Sequence, residues 1–239
     1  MAETTLAGGA TLSLCTRDGQ YSLRVGGREL MGTVAVNSEL RLADLGCETL
    51  GTKRGARVLI GGLGLGFTLR RVLERVGRDA RVAVAELLPA VVDWNRTYLQ
   101  SINGKLLDDP RVNLMIEDVL TVLAHAKPGQ YDVILLDVDN GPPASIIDPA
   151  TSRLYADDGF AVVSRALRIG GRAVFWSASA DRAFVKRLTK AGFRATAVGA
   201  KAHPRAKRDT HTLFVADWLG GQPSRRSGAR DDHQRHGIG

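Results

Sequence analysis

The sequence predicts an α/β fold: a mostly parallel sheet with helices on both faces, an antiparallel last strand, and a small N-terminal β meander. Three observations predict it. Short apolar runs alternate with segments of helical period over residues 56–177, and strands joined through helices lie parallel. The run AlaArgValLeuIleGlyGlyLeuGlyLeuGly at 56–66 breaks from an apolar strand into alternating glycines, the pattern of a buried strand turning sharply into a helix. The final two strands have no helix between them, which suits an antiparallel edge.

Taken in order, residues 1–9 are small and polar with paired glycines and read as disordered. Residues 11–15 alternate. Asp18 and Gly19 supply a hairpin turn before 21–25, and Gly26 and Gly27 a second turn before ArgGluLeuMet and 33–36. From Ser38, read as an N-cap, Leu40, Leu42, Leu45 and Leu50 suit a helix leading toward the glycine turn. Beyond the turn, Phe67, Leu69, Val72, Leu73 and Val76 recur at helical spacing until Gly77. A second strand at 82–85 ends at Glu86, and Pro89 opens a helix through Trp94 and Tyr98. A third strand at 112–116 ends in Glu117 and Asp118, ahead of a helix at 119–125. An apolar strand at 133–136 then delivers Asp137, Asp139 and Asn140 onto a Gly-Pro loop. A helix starting near Asp157 is closed by Gly170 and Gly171, and a strand follows at 173–176. A helix at 183–188 stops at Gly192, and strands at 194–198 and 210–216 end the pattern. The chain thus divides into a meander over 1–36, an α/β domain over 37–219 and a disordered basic tail over 220–239, where His233 and His236 read as unstructured.

Composition narrows the function. A hydrophobic fraction of 44% and a charged fraction of 24% suit one globular core, and no apolar run approaches the roughly 18 residues of a membrane span. The N-terminus has no signal-peptide pattern, so the expected location is cytoplasmic and no membrane partner is expected. Cys15 and Cys47 lack metal-ligand spacing, and no metal site is expected. The formal charge of +8 is concentrated in 182–208, with nine basic residues and no acidic one. Only Phe184 and Phe193 lie among the basic residues, fewer aromatics than a single-strand-binding surface wants, so a solvated helix face and basic loop is preferred to a nucleic-acid site.

The chemistry is expected at strand ends, where parallel α/β sheets place their ligands. Glu86 lies twenty residues beyond Gly66 at the end of the next strand, where an acid in a βαβ unit meets a ribose. Its two acceptor oxygens can take both ribose hydroxyls, the alternative being a helix cap. Asp139 and Asn140 read equally as site residues and as an Asx turn. A nicotinamide fingerprint fails, because Phe67 stands where its third glycine belongs.

Motif by motif, the chain resembles the Rossmann-like class I S-adenosylmethionine-dependent methyltransferase fold, and within it the spermidine synthase-like group. The GlyGlyLeuGlyLeuGly turn, the AspProArgVal segment before Glu117 and Asp118, and the AspValIleLeuLeuAsp strand with its Asp-rich Gly-Pro loop carry the resemblance, which covers 28–216. It implies a transferase using S-adenosyl-L-methionine or its decarboxylated form. Gly62, Gly64 and Gly66 would line the methionine moiety, Glu86 would hold the ribose, and Asp118 would take the adenine amino group, with Val119 beside the ring. Asp137 would remove the proton of a reacting amine, with Asp139 as its catalytic neighbour and Glu39 and Asn140 toward the substrate. Aminopropyltransferases of the group usually carry an acid inside the glycine turn and another two residues past the ribose-binding one, where this chain has Leu63, Leu65 and Leu88. Asn37 and Ser38 also stand where Tyr or His is usual. A polyamine entering a dry pocket wants several carboxylates. The expected reaction is therefore methyl transfer to an amine or other small nucleophile, with aminopropyl transfer in polyamine synthesis as the alternative. A non-catalytic cofactor-binding module is a further reading, and a homodimer is the default expectation for a soluble protein.

Overall fold

The computed structural model describes residues 1–138 and 149–221. The expectations for Asp139, Asn140 and the tail from 222 fall outside them. A four-stranded antiparallel sheet comes first, formed by β1 (Ala2–Thr5), β2 (Thr11–Arg17), β3 (Gln20–Val25) and β4 (Arg28–Gly32) in that order. Both hairpin turns hold two consecutive residues at positive φ, Asp18 with Gly19 and Gly26 with Gly27, as tight hairpins of matching twist require. Residues 1–9 are not disordered as a whole. Ala2–Thr5 pairs with β2 from Ala2↔Leu14 to Thr5↔Thr11, and Leu6 is buried in the core. The polar composition hid an edge strand whose stability comes from backbone pairing. Residues 33–36 are turn and coil instead of strand.

The main sheet has seven strands in the order β10-β11-β9-β8-β5-β6-β7. Its strands are β5 (Arg57–Gly61), β6 (Arg81–Glu86), β7 (Val112–Ile116), β8 (Tyr131–Leu136), β9 (Leu167–Ser177), β10 (Phe193–Ala200) and β11 (His211–Trp218). The helices are α1 (Asn37–Cys47), α2 (Phe67–Arg75), α3 (Pro89–Arg96), α4 (Gln100–Asn103), α5 (Val119–His125), α6 (Asp157–Ala166) and α7 (Arg182–Lys190). The central strands β5 and β8 are apolar on both faces, with Val58, Leu59, Ile60 and Val133 through Leu136 without exposure, as a sheet covered on both sides demands.

Two local expectations are corrected and a third is sharpened. Ser38 is not an N-cap: Val36 occupies that position, and the Ser38 hydroxyl donates to Glu39 Oε2 at 2.6 Å from inside the helix. Gly170 and Gly171 do not separate α6 from its strand. β9 runs directly out of α6 and contains them at an irregularity in its pairing with β8. The closing pair of strands does form an antiparallel edge, with β10 outermost. β11 lies between β9 and β10, antiparallel to both. Leu213, Phe214 and Ala216 are fully buried, whereas β10 exposes much of its length and takes the edge.

Two contacts position α1 and therefore Glu39. Gly46 packs so closely on the sheet that a Cβ there would run into the Leu135 side chain. Arg172 on β9 donates to Leu45 O at 2.9 Å and pairs with Asp217 on β11 at 2.7 Å, tying the helix to both strands.

At the opposite edge of the sheet, buried Asp132 joins the starts of three strands. Its Oδ2 accepts from Arg57 N at 2.8 Å, and its Oδ1 pairs with Lys53 at 2.9 Å and Arg168 at 2.5 Å. Both cations are partly exposed, which discounts the pairing. Asp132→Ala leaves a backbone N–H and two cations without their shared partner. Urea unfolding of this variant is expected to show a loss of about 2 kcal/mol with unchanged m, and Asp132→Asn a smaller loss.

Candidate active site

The carboxyl edge of the parallel strands opens onto one cavity of about 250 Å³. Across that edge stand Glu117 and Asp118 after β7, Glu86 at the end of β6, Gly62 and Gly64 after β5, Asp137 after β8 and Trp176 near the end of β9. His211 joins them from the start of β11, because that strand runs the other way. α1 adds Ser38 and Glu39. The small sheet forms a roof from Leu12, Leu23 and residues 29–32.

The glycine turn fits its place for steric reasons. Gly62 has φ +89, and a Cβ there would collide with the backbone carbonyl of Asp137. The turn is held from behind by two amides. Asn95 Nδ2 donates to Gly64 O at 2.8 Å, and Asn103 Nδ2 to Leu65 O at 2.6 Å. In front, Glu86 Oε2 accepts from Leu63 N at 2.8 Å and Oε1 from Leu88 N at 2.9 Å. Both oxygens are thus oriented by the backbone. Burial pushes the Glu86 carboxyl above its ordinary range, against the pull of those hydrogen bonds.

Asp137 and Glu39 form the electrostatic centre. Burial, reinforced by the nearby Glu39 charge, pushes the Asp137 carboxyl up to about 7, although Thr68 Oγ1 donates to it at 3.3 Å. Glu39 is raised as well, again by burial, with the Ser38 hydroxyl pulling the other way. Two acids sharing a poorly solvated space repel, and a cation between them relieves both penalties.

Of the residues singled out in the sequence, Gly62, Gly64, Glu39, Glu86, Asp118, Val119 and Asp137 line this cavity. Gly66 does not. It is the left-handed residue ahead of α2, facing Asn95 and Asn103. Asp118 also caps α5, accepting from Leu120 N at 2.9 Å through Oδ1 alone. Leu63 and Leu65 are buried in the core and line no part of the cavity, so their lack of charge says little about its ligand. Sequence reading missed Glu29, Trp176, His211, Asn95 and Asn103. Trp176 closes an apolar strand and could have been found as a strand end. His211 begins a strand, and the two asparagines act from helices remote in sequence.

Residues 41–186 match the family model of the spermine/spermidine synthase domain. Over 128 residues the chain is 36% identical to the polyamine aminopropyltransferase of Mycobacterium tuberculosis, a match covering 52% of this chain and 23% of that protein. Over 115 residues it is 36% identical to putrescine N-methyltransferase 1 of Nicotiana tabacum, covering 48% of this chain and 28% of that one. The matches span about a quarter of the length of these curated relatives. The crystal structure of spermidine synthase from Thermotoga maritima shares the fold, with a TM-score of 0.68 at 17% identity, covering 94% of this chain and 74% of that one. With more than half of its residues inside the family match, the chain belongs to the spermine/spermidine synthase domain family, on the fold of the S-adenosylmethionine-dependent methyltransferase-like superfamily.

Proposed function

We propose that this chain transfers an aminopropyl group from decarboxylated S-adenosylmethionine to a cationic amine. One observation carries the reading. Glu29, Glu39, Glu86, Glu117, Asp118 and Asp137 line the cavity, and among the described residues no Lys or Arg does, in a chain whose formal charge is +8. Such walls favour a ligand that is positive at both reacting partners: a sulfonium with a free ammonium, and an amine. A donor that keeps its carboxylate would bring an anion among carboxylates with no side-chain cation to meet it. The sequence-based preference for methyl transfer rested on a scarcity of carboxylates. Glu117 and Glu29, distant in sequence from the glycine turn, add exposed carboxylates to the rim of the cavity, Glu29 being paired with Arg24 at 3.4 Å, while Glu39, Glu86 and Asp137 supply the acids within it.

The chemistry asked of the protein is modest, since a sulfonium is already activated. Glu86 and the glycine turn hold the nucleoside, with Asp118 and Val119 at the base. The amine lies beside Asp137 and Glu39. The ionised Asp137 takes a proton from the reacting ammonium, the freed lone pair attacks the propyl carbon bonded to sulfur as the carbon–sulfur bond breaks, and methylthioadenosine departs, leaving a secondary ammonium.

Methyl transfer is the second reading, favoured by the match to the tobacco N-methyltransferase and by Leu88 on the cavity wall. Calorimetric titration separates the two. The decarboxylated donor is expected to bind at least tenfold more tightly than S-adenosylmethionine, and incubation with putrescine to yield spermidine and methylthioadenosine. Tighter binding of S-adenosylmethionine with a methylated product would establish the second reading instead.

Asp137→Asn should lower kcat by about a hundredfold or more while donor affinity stays close to that of the parent. In the parent protein the ionised carboxylate is the active form, so kcat/KM should rise with pH through about 7, and that limb should vanish in the variant. Gly62→Ala forces a side chain into the Asp137 carbonyl and should abolish donor binding in the same titration.

A further inference from the structure

Glu39 and Asp137 each receive one hydroxyl. Ser38 Oγ donates to Glu39 Oε2 at 2.6 Å, and Thr68 Oγ1 donates to Asp137 Oδ2 at 3.3 Å. Both donors are buried, Ser38 at 1% and Thr68 at 3% exposure, so water does not compete for them. A hydroxyl has one proton to donate, which commits each to its acid. The donors come from different elements, Ser38 from the first turn of α1 and Thr68 from the first turn of α2, and the two helices pack together.

The two bonds are unequal. At 2.6 Å the Ser38 hydroxyl has the separation expected on an ionised carboxylate, whereas 3.3 Å exceeds the usual range between two oxygens. The ionised form is therefore favoured more strongly at Glu39 than at Asp137. Other charge does not offset the difference. Among the described residues, the cavity presents around this pair Glu86 from β6, Glu117 and Asp118 beyond β7, Glu29 from β4 and His211 from β11. Glu86 is held by Leu63 N and Leu88 N, Asp118 by Leu120 N and Glu29 by Arg24, while burial keeps His211 toward its neutral form. The charge that acts on Asp137 is that of Glu39.

Resting on the assignment of Asp137 as the base, we propose that Ser38 and Thr68 are positioning residues that apportion negative charge between the two acids: Ser38 makes Glu39 the acid that ionises first, and Asp137 ionises second and takes the reacting proton. Ionised Glu39 makes Asp137 a stronger base, and the Thr68 bond limits that effect, so that Asp137 still ionises near neutral pH. The two hydroxyls therefore act in opposite directions. Without the Ser38 donor, charge passes from Glu39 to Asp137, which then ionises at lower pH. Without the Thr68 donor, ionised Asp137 loses its support and forms at higher pH.

The test follows the carboxyl carbons of 13C-labelled Asp and Glu in the full chain by NMR from about pH 4 to about pH 9, with Glu39→Gln and Asp137→Asn assigning the two signals. In the parent protein Glu39 should ionise at lower pH than Asp137. Thr68→Val should move the Asp137 midpoint up by about one pH unit, and Ser38→Ala should move it down by about half a unit or more. The rising limb of kcat/KM should move the same way in each variant, and Thr68→Ser should restore the parent profile. A residue that only supports the fold would lower activity without these opposite displacements. Should one variant fail to fold, the other variant and the order of ionisation in the parent decide. Asp137 ionising before Glu39, displacements in the same direction, or no displacement in either variant would overturn the proposal. Displacements seen by NMR with the kcat/KM limb unmoved, or without any aminopropyl product, would overturn the reaction assignment alone.

Discussion

The approach of Gly62 to the carbonyl of Asp137 constrains the whole site. β5 and β8 are adjacent parallel strands, and Asp137 N donates to Gly61 O at 2.9 Å as the two chains leave the sheet. Gly62 N donates in turn to Ala85 O on the other neighbour, β6, at 2.8 Å. Three strand ends are therefore joined through Gly61 and Gly62, the second of which has room for no side chain. That junction brings Glu86, the turn and Asp137 to a common cavity, and it permits the turn's backbone to face a ligand directly. Asn95 and Asn103 complete the arrangement by accepting none of the turn's N–H groups and binding its outward carbonyls instead.

Charge is arranged against the overall balance of the chain. The excess of Lys and Arg lies on the surface and around 182–208, where water and salt screen it. Within the cavity Glu39 and Glu86 are buried and Asp137 partly so, and there each charge is costly unless a cation arrives. The raised Asp137 and Glu39 carboxyls are the physical sign of that unmet demand. A net charge read from composition therefore does not describe the cavity, because it averages over a screened exterior and a poorly screened interior.

The sequence by itself determined the parallel sheet, its glycine turn and the acids at successive strand ends, because strand period, positive-φ glycines and strand-end carboxylates are local signals. It also determined the antiparallel sense of the last strand. Only the tertiary structure decided that β11 enters between β9 and β10, since that choice depends on which strand buries more apolar surface on both faces. The same is true of the edge strand at Ala2–Thr5, which exists through pairing with β2 and leaves little trace in composition. The inward turn of Leu63 and Leu65 to the core, and the gathering of Glu29, Glu117, Trp176 and His211 around one cavity, are likewise products of packing between distant segments. Local patterning specifies which residues can stand at a strand end, but the neighbours they meet there are fixed by strand order, which no short stretch of sequence encodes.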